Sequence, residues 1–489
     1  MVRVHLGRII KGLKYYGEWN NITIKKIRTN SKEVEAGDLF IAIKGYKFDG
    51  HDFIDEAINR GASVIIYQIE RSFSSDIIHL LVDNTRMALG IIANNYYHNI
   101  TRKVKLIGIT GTNGKTTIST LLFNFFEYYN KKSLLIGTNG IYYNDEIFES
   151  INTTPDLLLT IEMIYVAYQK GVRYVIMEVS SQAYDMLRVY GFDFNIAVFS
   201  NLTHEHLDYH KTMERYLNVK GSFLSSICKK RGNFVVLNKD DQAYFSYIKN
   251  LKAKYYSFGI KNKADYGAIN IKKTLEKGTS FKLIYKYQKM DFQTFLLGEF
   301  NIYNILACIA VIDNMGMKIE NFKSFLRFYV SISGRMEMLR INKRCFIIDY
   351  AHTPDGVLCV LESIREYVNS RIIVVIGCGG NRDSLKRPLI GDITTSNADY
   401  VIFTNDNPRN EEENDIISDI LTGVVKDNYE VILNREAAIR RAITLSKEND
   451  CIAILGKGNE AYQIINNIKY PFNDKEIITR IYGKEEKQR

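Results

Sequence analysis

Proline is scarce in this chain, and its positions are informative. Only five of the 489 residues are proline, and each of them is expected to mark a loop: Pro155, Pro354, Pro388, Pro408 and Pro471. No internal repeat and no low-complexity segment is present either. These absences argue against a repeat array and against long proline-rich linkers.

Cysteine is also uncommon, and long apolar runs are missing. The six cysteines form no CxxC pair, which fits reduced thiols better than a zinc site or a disulfide framework. No apolar run is long enough to cross a bilayer, so we expect no membrane insertion. The first twenty residues contain neither an uninterrupted apolar segment nor a small-residue cleavage site. We therefore expect no signal peptide and a cytoplasmic protein.

A concentrated basic region is missing as well. The formal net charge of +10 would suit a nucleic-acid-binding protein, but the basic residues are spread along the chain and form no arginine-rich arm. We therefore expect anionic small molecules, and not nucleic acid, as partners. Hydrophobic residues make up 46% and charged residues 25% of the chain, as in soluble globular proteins, and its length predicts about two to four domains.

Strand-like and helix-like segments alternate almost throughout, which predicts an α/β fold with parallel sheets. Three blocks can be distinguished, residues 1–102, 103–332 and 333–489, and we interpret them as three domains. The third block contains the apolar segments CFIIDY, RIIVVIG, YVIFTND and CIAILGKG. Ligands of open parallel sheets bind at the carboxyl ends of the strands, so we expect binding residues where such segments end.

The strongest local signal is KVKLIGITGTNGKTTISTLLFNFFEYY, which begins at residue 103. It predicts a strand over 103–110, a glycine-rich loop, and a helix with apolar residues at helical spacing. The loop consists of Gly111, Thr112, Asn113, Gly114, Lys115, Thr116 and Thr117. Its N–H groups favour a phosphate, Lys115 would reach the terminal phosphates and Thr116 would bind Mg²⁺. The spacing is not the strict GxxxxGK[ST] form, since Ile109 stands where the first glycine would, but the flanking strand and helix favour a phosphate loop over a plain turn.

Acidic and histidine residues follow the next two predicted strands. Glu178 ends the segment RYVIME, where it could either bind Mg²⁺ or cap a helix. The string HEHLDYH then places His204, His206 and His210 within seven residues. This is close to the HxHxDH signature of dinuclear zinc hydrolases, but the last histidine is one position late, so we regard a zinc hydrolase as the weaker alternative.

An arginine-containing turn follows the strand-like segment at residues 401–403. In VIFTNDNPRNEEEN the run of β-formers stops at Asp406, Asn407, Pro408 and Arg409. Taken alone, this is either a type I turn with a surface arginine or a pocket for a small molecule with charges of both signs.

Taken together, the motifs resemble those of the Mur ligases, the ATP-dependent amide-forming enzymes of peptidoglycan synthesis. The resemblance rests on GITGTNGKTT, MEVSSQ, NLTHEHLDYH and YLNVK, followed in the third block by SGRME, DYAHTPD, GCGGNRD, KRP, DNPR and GKGNE. It covers essentially the whole chain. It implies an N-terminal α/β domain that binds UDP, a central P-loop ATPase-type parallel sheet and a C-terminal Rossmann-like domain.

The third-block motifs are similar to those of family members that add meso-diaminopimelate to the D-glutamate γ-carboxylate of a UDP-muramoyl dipeptide. The resemblance then implies catalytic roles for Lys115, Lys220 and His206. Lys220 would be carboxylated by CO₂ to an anionic carbamate and would help to hold Mg²⁺ together with Thr116, Glu178 and His206. A bare lysine there would be cationic and would repel the metal.

The resemblance also implies three sets of substrate contacts. Besides the phosphate loop, ATP would meet Asn301, Asn304, Arg335, Asp349 and His352. The UDP-muramoyl dipeptide would contact Ser31, Tyr46, Lys47, Phe48, Asn152, Thr153, Thr154, Ser180 and Arg188. Diaminopimelate would contact Arg382, Asp406, Asn407, Pro408, Arg409, Gly456 and Glu460. In this arrangement Arg409 would bind the carboxylate that lysine lacks, and Asp406 and Asn407 would receive ammonium groups.

Two departures and several alternatives remain. Met186 stands where many relatives have glutamine, so the resemblance assigns no substrate contact to it, and Asn459 replaces the histidine of the usual GKGHE string. A lysine-adding ligase, a folylpolyglutamate synthetase and a nucleic-acid-dependent P-loop ATPase are the alternatives, and the DNPR arginine argues against the first. We expect a monomer.

Overall fold

Three large sheets, accompanied by two two-stranded pairs, organise this computed structural model, which describes residues 3–45, 48–73, 77–143, 146–148, 152–274, 277–329 and 331–485. The predicted three-domain α/β architecture is confirmed. Within the described residues, no helix has the length and apolar character needed to cross a membrane. None of the six cysteines, all of which are described, forms a disulfide.

The N-terminal domain is built on a four-stranded parallel sheet in the order β3-β4-β5-β6. All four residues of Val64–Tyr67 are buried, as expected for a strand covered on both faces. The Asn84 side chain caps Thr85–Tyr96 by accepting hydrogen bonds from two backbone N–H groups. The elements are β1 Val4–His5, α1 Leu6–Ile9, β2 Thr23–Ile24, β3 Ile27–Arg28, β4 Leu39–Ile41, α2 Ile54–Asn59, β5 Val64–Tyr67, β6 Ile78–Leu81 and α3 Thr85–Tyr96.

The central domain contains an eleven-stranded sheet in the order β10-β9-β8-β11-β7-β12-β13-β14-β15-β16-β17. The strand predicted over 103–110 is present as β7, at the middle of the parallel part of the sheet. The elements are β7 Lys105–Thr110, α4 Lys115–Tyr128, β8 Ser133–Gly137, β9 Gly140–Tyr143, β10 Glu146–Phe148, α5 Leu157–Gln169, β11 Tyr174–Glu178, α6 Ser181–Asp185, β12 Ile196–Phe199, α7 Leu207–His210, α8 Met213–Ser225, β13 Phe234–Asn238, α9 Tyr244–Ile248, β14 Lys254–Gly259, β15 Tyr266–Thr274, β16 Gly278–Tyr285, β17 Gln288–Thr294, α10 Glu299–Asn314 and α11 Ile319–Phe328.

The predicted alternation of strands and helices is wrong over residues 254–294. There β14, β15, β16 and β17 follow one another, and the last three pair antiparallel. Residues of β16 alternate between buried and partly exposed along its length. A strand whose one face is exposed to solvent needs no helix to cover that face. This part of the sheet can therefore be a β-meander, in which consecutive antiparallel strands are joined directly.

The C-terminal domain carries a six-stranded sheet in the order β18-β19-β23-β20-β21-β22, parallel except for the edge strand β18. A separate hairpin, β24–β25, follows the last parallel strand. The elements are β18 Glu337–Ile341, β19 Arg344–Asp349, α12 Pro354–Tyr367, β20 Ile372–Ile376, α13 Lys386–Asn397, β21 Tyr400–Phe403, α14 Glu413–Leu421, β22 Tyr429–Val431, α15 Arg435–Leu445, β23 Cys451–Leu455, β24 Tyr462–Ile465, β25 Ile468–Pro471 and α16 Asp474–Glu485.

Three prolines do not mark loops, contrary to expectation. Pro354 begins α12, Pro388 lies in the first turn of α13, and Pro471 ends β25. The first turn of a helix tolerates proline because its N–H groups have no partner within the helix.

Candidate active site

The glycine-rich loop joins β7 to α4 with its glycines in backbone conformations that other residues rarely adopt. Gly111 has φ 148° and Gly114 has φ 86°. A Cβ atom on Gly111 would lie 1.9 Å from Ser200 Oγ, so this position also has no room for a side chain. Lys115 Nζ donates to the carbonyl oxygens of Gly111 and Thr112 at 2.9 and 2.7 Å. The loop thus folds around its own lysine.

The loop contacts two further segments of the central domain. Asn113 N donates to Asn201 Oδ1 at 2.8 Å, and Thr117 is buried in the first turn of α4. Asn304 abuts the loop from α10, because a Cβ on Gly114 would lie 2.5 Å from its Oδ1 atom. Asn304 Nδ2 donates to Asn301 Oδ1 at 3.0 Å. The structure therefore brings both predicted asparagines to the phosphate loop.

Glu178 ends β11 next to this loop, and its buried carboxylate accepts several hydrogen bonds. Thr116 Oγ1 donates to Oε2 at 3.1 Å, and Thr138 donates its N–H at 3.1 Å to Oε1 and its hydroxyl at 2.9 Å to Oε2. Ser119 Oγ adds a contact of 3.4 Å. Neither Thr138 nor Ser119 was predicted from the sequence. Thr138 directly follows β8, a neighbour of β11 in the sheet, and its place at the carboxyl end of a parallel strand is a signal that could have marked it as a site residue.

Four of the residues expected to bind the dipeptide lie beside Glu178. Thr153 Oγ1 is 3.1 Å from Thr138 Oγ1, and Thr154 Oγ1 donates to the Glu178 carbonyl oxygen at 2.8 Å. Ser180 N donates to Thr154 Oγ1 at 3.0 Å, and Arg188 Nη1 donates to the Thr154 carbonyl oxygen at 3.1 Å.

The remaining predicted dipeptide contacts are distributed differently. Asn152 is exposed, and Ser31, in the N-terminal domain, is buried and donates its hydroxyl to Glu56 Oε2 at 2.7 Å. Phe48 is exposed, whereas Tyr46 and Lys47 lie outside the described residues.

Arg86 lies between the predicted dipeptide contacts beside Glu178 and those of the N-terminal domain, and it was not predicted from the sequence. Its Nη2 donates to the Lys44 carbonyl oxygen at 2.8 Å. Burial and the nearby Arg188 guanidinium lower the pKa of Arg86. The arginine therefore connects the segment before residues 46–48 with the predicted dipeptide contacts.

Lys220 lies in α8 and is almost completely buried. Its Nζ is 4.6 Å from the centre of the Tyr216 ring, and the Tyr216 hydroxyl is 3.1 Å from Thr112 Oγ1. Burial, and secondly the charge of Lys115, lower the pKa of Lys220 well below its ordinary value. Both effects favour the neutral amine, which is the form that reacts with CO₂.

Glu205 is an acidic residue among these basic side chains, and it was not predicted from the sequence, where the neighbouring histidines were the visible signal. Its Oε2 is 3.5 Å from His206 Nε2, and its Oε1 is 3.8 Å from His352 Nε2. Burial opposes its charged form, but His206, Lys115, His352 and Lys220 together lower the pKa of Glu205. Burial lowers the pKa of His352 to about 4. Glu205 therefore connects the phosphate loop to the C-terminal domain.

Arg335 forms a second connection between these two domains. Its Nη2 donates to Thr116 Oγ1 at 3.1 Å, and its guanidinium lies 4.6 Å from the centre of the Tyr350 ring. Asp349 fixes the backbone beside it by accepting hydrogen bonds from Met336 N and Ala351 N, both at 2.7 Å. Burial raises the pKa of Asp349.

A charged pocket lies at the carboxyl ends of β20, β21 and β23. Arg409 has φ 56°, and its Nη1 donates to the Gly380 carbonyl oxygen at 2.7 Å. Its backbone is held by β24, because Arg409 N donates to the Ile464 carbonyl oxygen at 3.0 Å. Burial, and then the nearby Arg382, lower the pKa of Arg409. Two guanidinium groups close together favour an anionic ligand.

Asp406 and Glu460 provide negative charge in the same pocket. A Cβ on Gly456 would lie 2.7 Å from Asp406 Oδ2, so the glycine gives this carboxylate its space. Pro408 is buried in the turn between Asp406 and Arg409. The structure thus brings the predicted residues of the DNPR and GKGNE segments together.

Asn407 does not fit its expected role as a receiver of an ammonium group. Its Oδ1 already accepts hydrogen bonds from Lys457 Nζ at 3.1 Å and Ile464 N at 2.9 Å. Its Nδ2 donates to Glu460 Oε2 at 2.9 Å, and only 3% of the residue is exposed. Because the amide oxygen is occupied by two protein donors, the Asn407 side chain fixes the pocket instead of receiving an ammonium group of a ligand.

The histidine string is not part of a metal-ligand cluster in the part of the chain that the structure describes. No group of three or more His, Cys, Asp or Glu side chains there is arranged to hold a metal ion. The zinc hydrolase alternative therefore gains no support from the histidine string. The Asp208 side chain lies outside what the structure describes.

The chain matches three sequence patterns that define Mur ligases. The Mur ligase family catalytic domain matches residues 23–97, the Mur ligase middle domain residues 109–312, and the Mur ligase glutamate ligase domain residues 334–458. A Bacillus cereus protein named UDP-N-acetylmuramoyl-L-alanyl-D-glutamate–2,6-diaminopimelate ligase is 39% identical over 462 residues, which cover 94% of either chain.

Solved structures show the same relationship. A structure of a UDP-N-acetylmuramoyl-L-alanyl-D-glutamate–2,6-diaminopimelate ligase aligns over 99% of either chain with a TM-score of 0.72 and 28% identity. The MurF ligase from Thermotoga maritima in complex with ADP shares the fold, with a TM-score of 0.66 and 19% identity over 95% of this chain and 99% of that one.

Proposed function

Because the chain belongs to the Mur ligase family, we propose that it is an ATP-dependent ligase that adds meso-diaminopimelate to UDP-N-acetylmuramoyl-L-alanyl-D-glutamate. The new amide bond joins an amine of diaminopimelate to the D-glutamate γ-carboxylate, in the synthesis of peptidoglycan precursors. The relatives with this name support the proposal over nearly their full length.

The observation that carries the choice of amino acid is the charge pattern of the C-terminal pocket. Arg382 and Arg409 lie close together, with Asp406 and Glu460 nearby. Diaminopimelate has two carboxylates and two ammonium groups, so it offers a partner to charges of either sign. Lysine lacks one carboxylate and would leave the arginine pair without its anion.

The reaction needs an activated carboxylate, because a carboxylate does not react with an amine in water. The γ-carboxylate oxygen attacks the γ-phosphorus of ATP, ADP leaves, and an acyl phosphate forms. The amine then attacks the acyl carbon, the carbon–oxygen bond to phosphate breaks, and phosphate and a proton are released. Lys115 and the loop N–H groups neutralise the phosphoryl oxygens, and Arg335 adds positive charge beside Thr116.

The proposed magnesium positions fit the side chains present. Thr116 and Glu178 provide a hydroxyl and a carboxylate in contact, which are oxygen ligands that Mg²⁺ prefers. Mg²⁺, when bound, neutralises charge on the transferring phosphoryl group. The buried, amine-favouring setting of Lys220 supports its conversion to a carbamate, which with His206 would hold a second ion. A carbonyl resonance in ¹³C NMR after incubation with ¹³C-bicarbonate, missing in Lys220→Arg, would test the carbamate.

We also propose the domain bounds 1–102, 103–332 and 333–489, a monomer, and a cytoplasmic location. Three independent sheets support the bounds. The cytoplasmic location is supported by the substrates, since ATP and UDP-linked precursors are cytoplasmic compounds.

The decisive experiment measures phosphate release with ATP, Mg²⁺ and UDP-N-acetylmuramoyl-L-alanyl-D-glutamate, with meso-diaminopimelate or L-lysine added in parallel. Turnover with diaminopimelate and little turnover with lysine is the expected result. Preference for lysine would retain the ligase but reject the role given to Arg409. A lack of turnover with either amino acid would reject the proposed function.

A further inference from the structure

Lys457 is a buried cation inside the amino-acid pocket that the motif comparison did not single out. It follows β23 between Gly456 and Gly458, whose φ angles are 107° and 55°. Only 1% of its side chain is exposed, compared with 20% for Glu460. The lysine therefore lies beneath the pocket surface, whereas the glutamate reaches the space that a ligand can enter.

The contacts of Lys457 connect two sides of the pocket. Its Nζ lies 2.7 Å from Glu460 Oε2 and 3.1 Å from Asn407 Oδ1. Asn407 Nδ2 donates to the same Glu460 oxygen at 2.9 Å. Lys457, Asn407 and Glu460 thus form a closed triangle of hydrogen bonds, which we call the pocket triad.

The pocket triad determines which oxygen of Glu460 remains available. Oε2 accepts hydrogen bonds from both Lys457 and Asn407, whereas Oε1 makes no hydrogen bond to any residue that the structure describes. The triad also orients the Asn407 amide, because two donors face its oxygen. A ligand ammonium group would therefore meet one free, pre-oriented carboxylate oxygen.

Burying a lysine side chain at this position carries a desolvation cost. Removing an ammonium group from water costs several kcal/mol unless it is paired and hydrogen-bonded, and an apolar side chain of similar size would avoid this cost. Lys457 nevertheless occupies the base of the pocket, where it contacts both Glu460 and Asn407, and this placement points to a role in the geometry of the site.

We propose that Lys457 is a positioning residue for the amino-acid substrate, acting through Glu460 and Asn407. It holds the Glu460 carboxylate so that Oε1 receives an ammonium group of the incoming diamino acid. The inference rests on the proposed function, since it assigns the pocket to that substrate. Under this proposal, Lys457 affects the binding of the amino-acid substrate but not the binding of ATP.

The first test is the substitution Lys457→Met, with initial rates measured against meso-diaminopimelate and against ATP separately. The KM for diaminopimelate is expected to rise about 10–100-fold, because Glu460 loses its strongest partner. The KM for ATP and kcat should change by less than about threefold. Lys343→Met is the matched control, because Lys343 forms an exposed ion pair with Glu448 and should leave all three parameters unchanged.

A double-mutant cycle separates positioning from general support of the fold. Glu460→Gln alone should raise the KM for diaminopimelate. If Lys457 acts through Glu460, adding Lys457→Met to Glu460→Gln should raise it by less than about threefold more. Multiplication of the two single effects would overturn the proposal, as would an equal rise in the KM for ATP.

A second variant and the parent enzyme complete the design. Lys457→Gln keeps one donor without the charge, should give an intermediate KM, and replaces Lys457→Met in the cycle if that variant does not fold. A parent enzyme without diaminopimelate-dependent phosphate release would reject the proposed function itself. An active parent enzyme with unchanged KM in both Lys457 variants would reject only the role of Lys457.

Discussion

At the scale of single residues, Arg409 combines an unusual backbone conformation with a side chain that we propose binds a substrate carboxylate. Its φ of 56° is uncommon for a residue other than glycine, and hydrogen bonds from β24 hold it there. The backbone strain is thus offset by the hairpin, and the guanidinium is aimed by both its backbone and the Gly380 carbonyl group.

Arg409→Lys keeps the charge at this position but removes the planar fork of donors. We expect kcat/KM for meso-diaminopimelate to fall about 10–100-fold, because a bidentate charge-assisted contact is lost. The rate with L-lysine should stay low and nearly unchanged. Parallel initial-rate measurements of both amino acids check this, and an unaltered kcat/KM for diaminopimelate would contradict the role of the arginine.

The residues that sequence reasoning identified share a property. Most of them follow a strand directly or lie in the phosphate loop, where the polar interruption of an apolar run is visible. Glu205, Thr138 and Lys457 were missed because their importance depends on neighbours that are distant in the sequence. The expectation that Asn407 receives an ammonium group of the substrate does not fit the structure for the same reason, since the partners of its amide oxygen lie in the segment 457–464.

At the scale of secondary-structure elements, a buried ion pair joins the last two helices. Arg435 in α15 donates to Asp474, at the start of α16, through Nε and Nη2, both at 2.9 Å, and both side chains are fully buried. Arg435 Nη2 also donates to the carbonyl oxygen of Leu455, the residue before Gly456. The pair therefore supports the turn from which Lys457 and Glu460 extend.

Asp474→Asn should destabilise the protein by about 3–5 kcal/mol, because it leaves the Arg435 charge buried without a counter-ion. Urea unfolding followed by circular dichroism measures the change. Glu448→Gln, in the exposed pair with Lys343, is the control and should cost less than about 1 kcal/mol. Equal midpoints for the two variants would show that the buried pair does not stabilise the fold.

His210 makes the contact between α7 and α6 sensitive to pH. The residue is fully buried, its Nε2 lies 2.8 Å from Ser181 Oγ, and burial lowers the pKa of His210 to about 4. Between that value and the unfolded pKa of about 6.5, the unfolded chain binds more protons than the native protein. The contribution of His210 is therefore intact above pH 6.5 and is lost as the pH falls towards 4.

We expect this loss to amount to about 1–3 kcal/mol. Urea midpoints measured from pH 7 down to pH 4 in the parent and in His210→Gln give the effect as the difference between the two profiles. Parallel profiles would show that His210 does not titrate in this way.

The types and order of the elements followed from sequence pattern over most of the chain. Buried parallel strands such as β7 and β20 are continuous apolar runs, which are easily recognised. The antiparallel extension from β15 to β17 was not predicted, because its alternating residues depend on which face the rest of the sheet leaves wet. The positions of three prolines were predicted wrongly, because the local sequence does not distinguish a proline in a loop from one at the start of a helix or the end of a strand.

At the scale of the whole molecule, the central and C-terminal domains also meet on the side of the meander. Lys273 in β15 lies 3.2 Å from Glu299 in α10 and 2.7 Å from Glu366 in α12. Only 14% of the Lys273 side chain is exposed. The Tyr367 hydroxyl adds a contact of 2.7 Å to Thr279 Oγ1. These contacts hold α12 against the extension that sequence alone did not predict.

Lys273→Met should loosen this docking without unfolding either domain, since interfaces between domains are polar and small compared with cores. Limited proteolysis of the segment between α11 and β18 should become several-fold faster, because the loss of the ion pairs makes docking less favourable by about 1 kcal/mol. Lys343→Met serves again as the control. Identical cleavage rates in the parent and Lys273→Met would show that the ion pairs do not hold the domains together.

The Arg335 contact makes the charge at the phosphate loop depend on the C-terminal domain. Arg335 belongs to the segment that opens the third proposed domain, yet its guanidinium reaches Thr116 in the phosphate loop. The positive charge beside Thr116 therefore comes from the same domain that carries the charged pocket around Arg409 and Asp406. One guanidinium thus makes the electrostatics of the phosphate loop depend on the placement of the domain that carries this pocket.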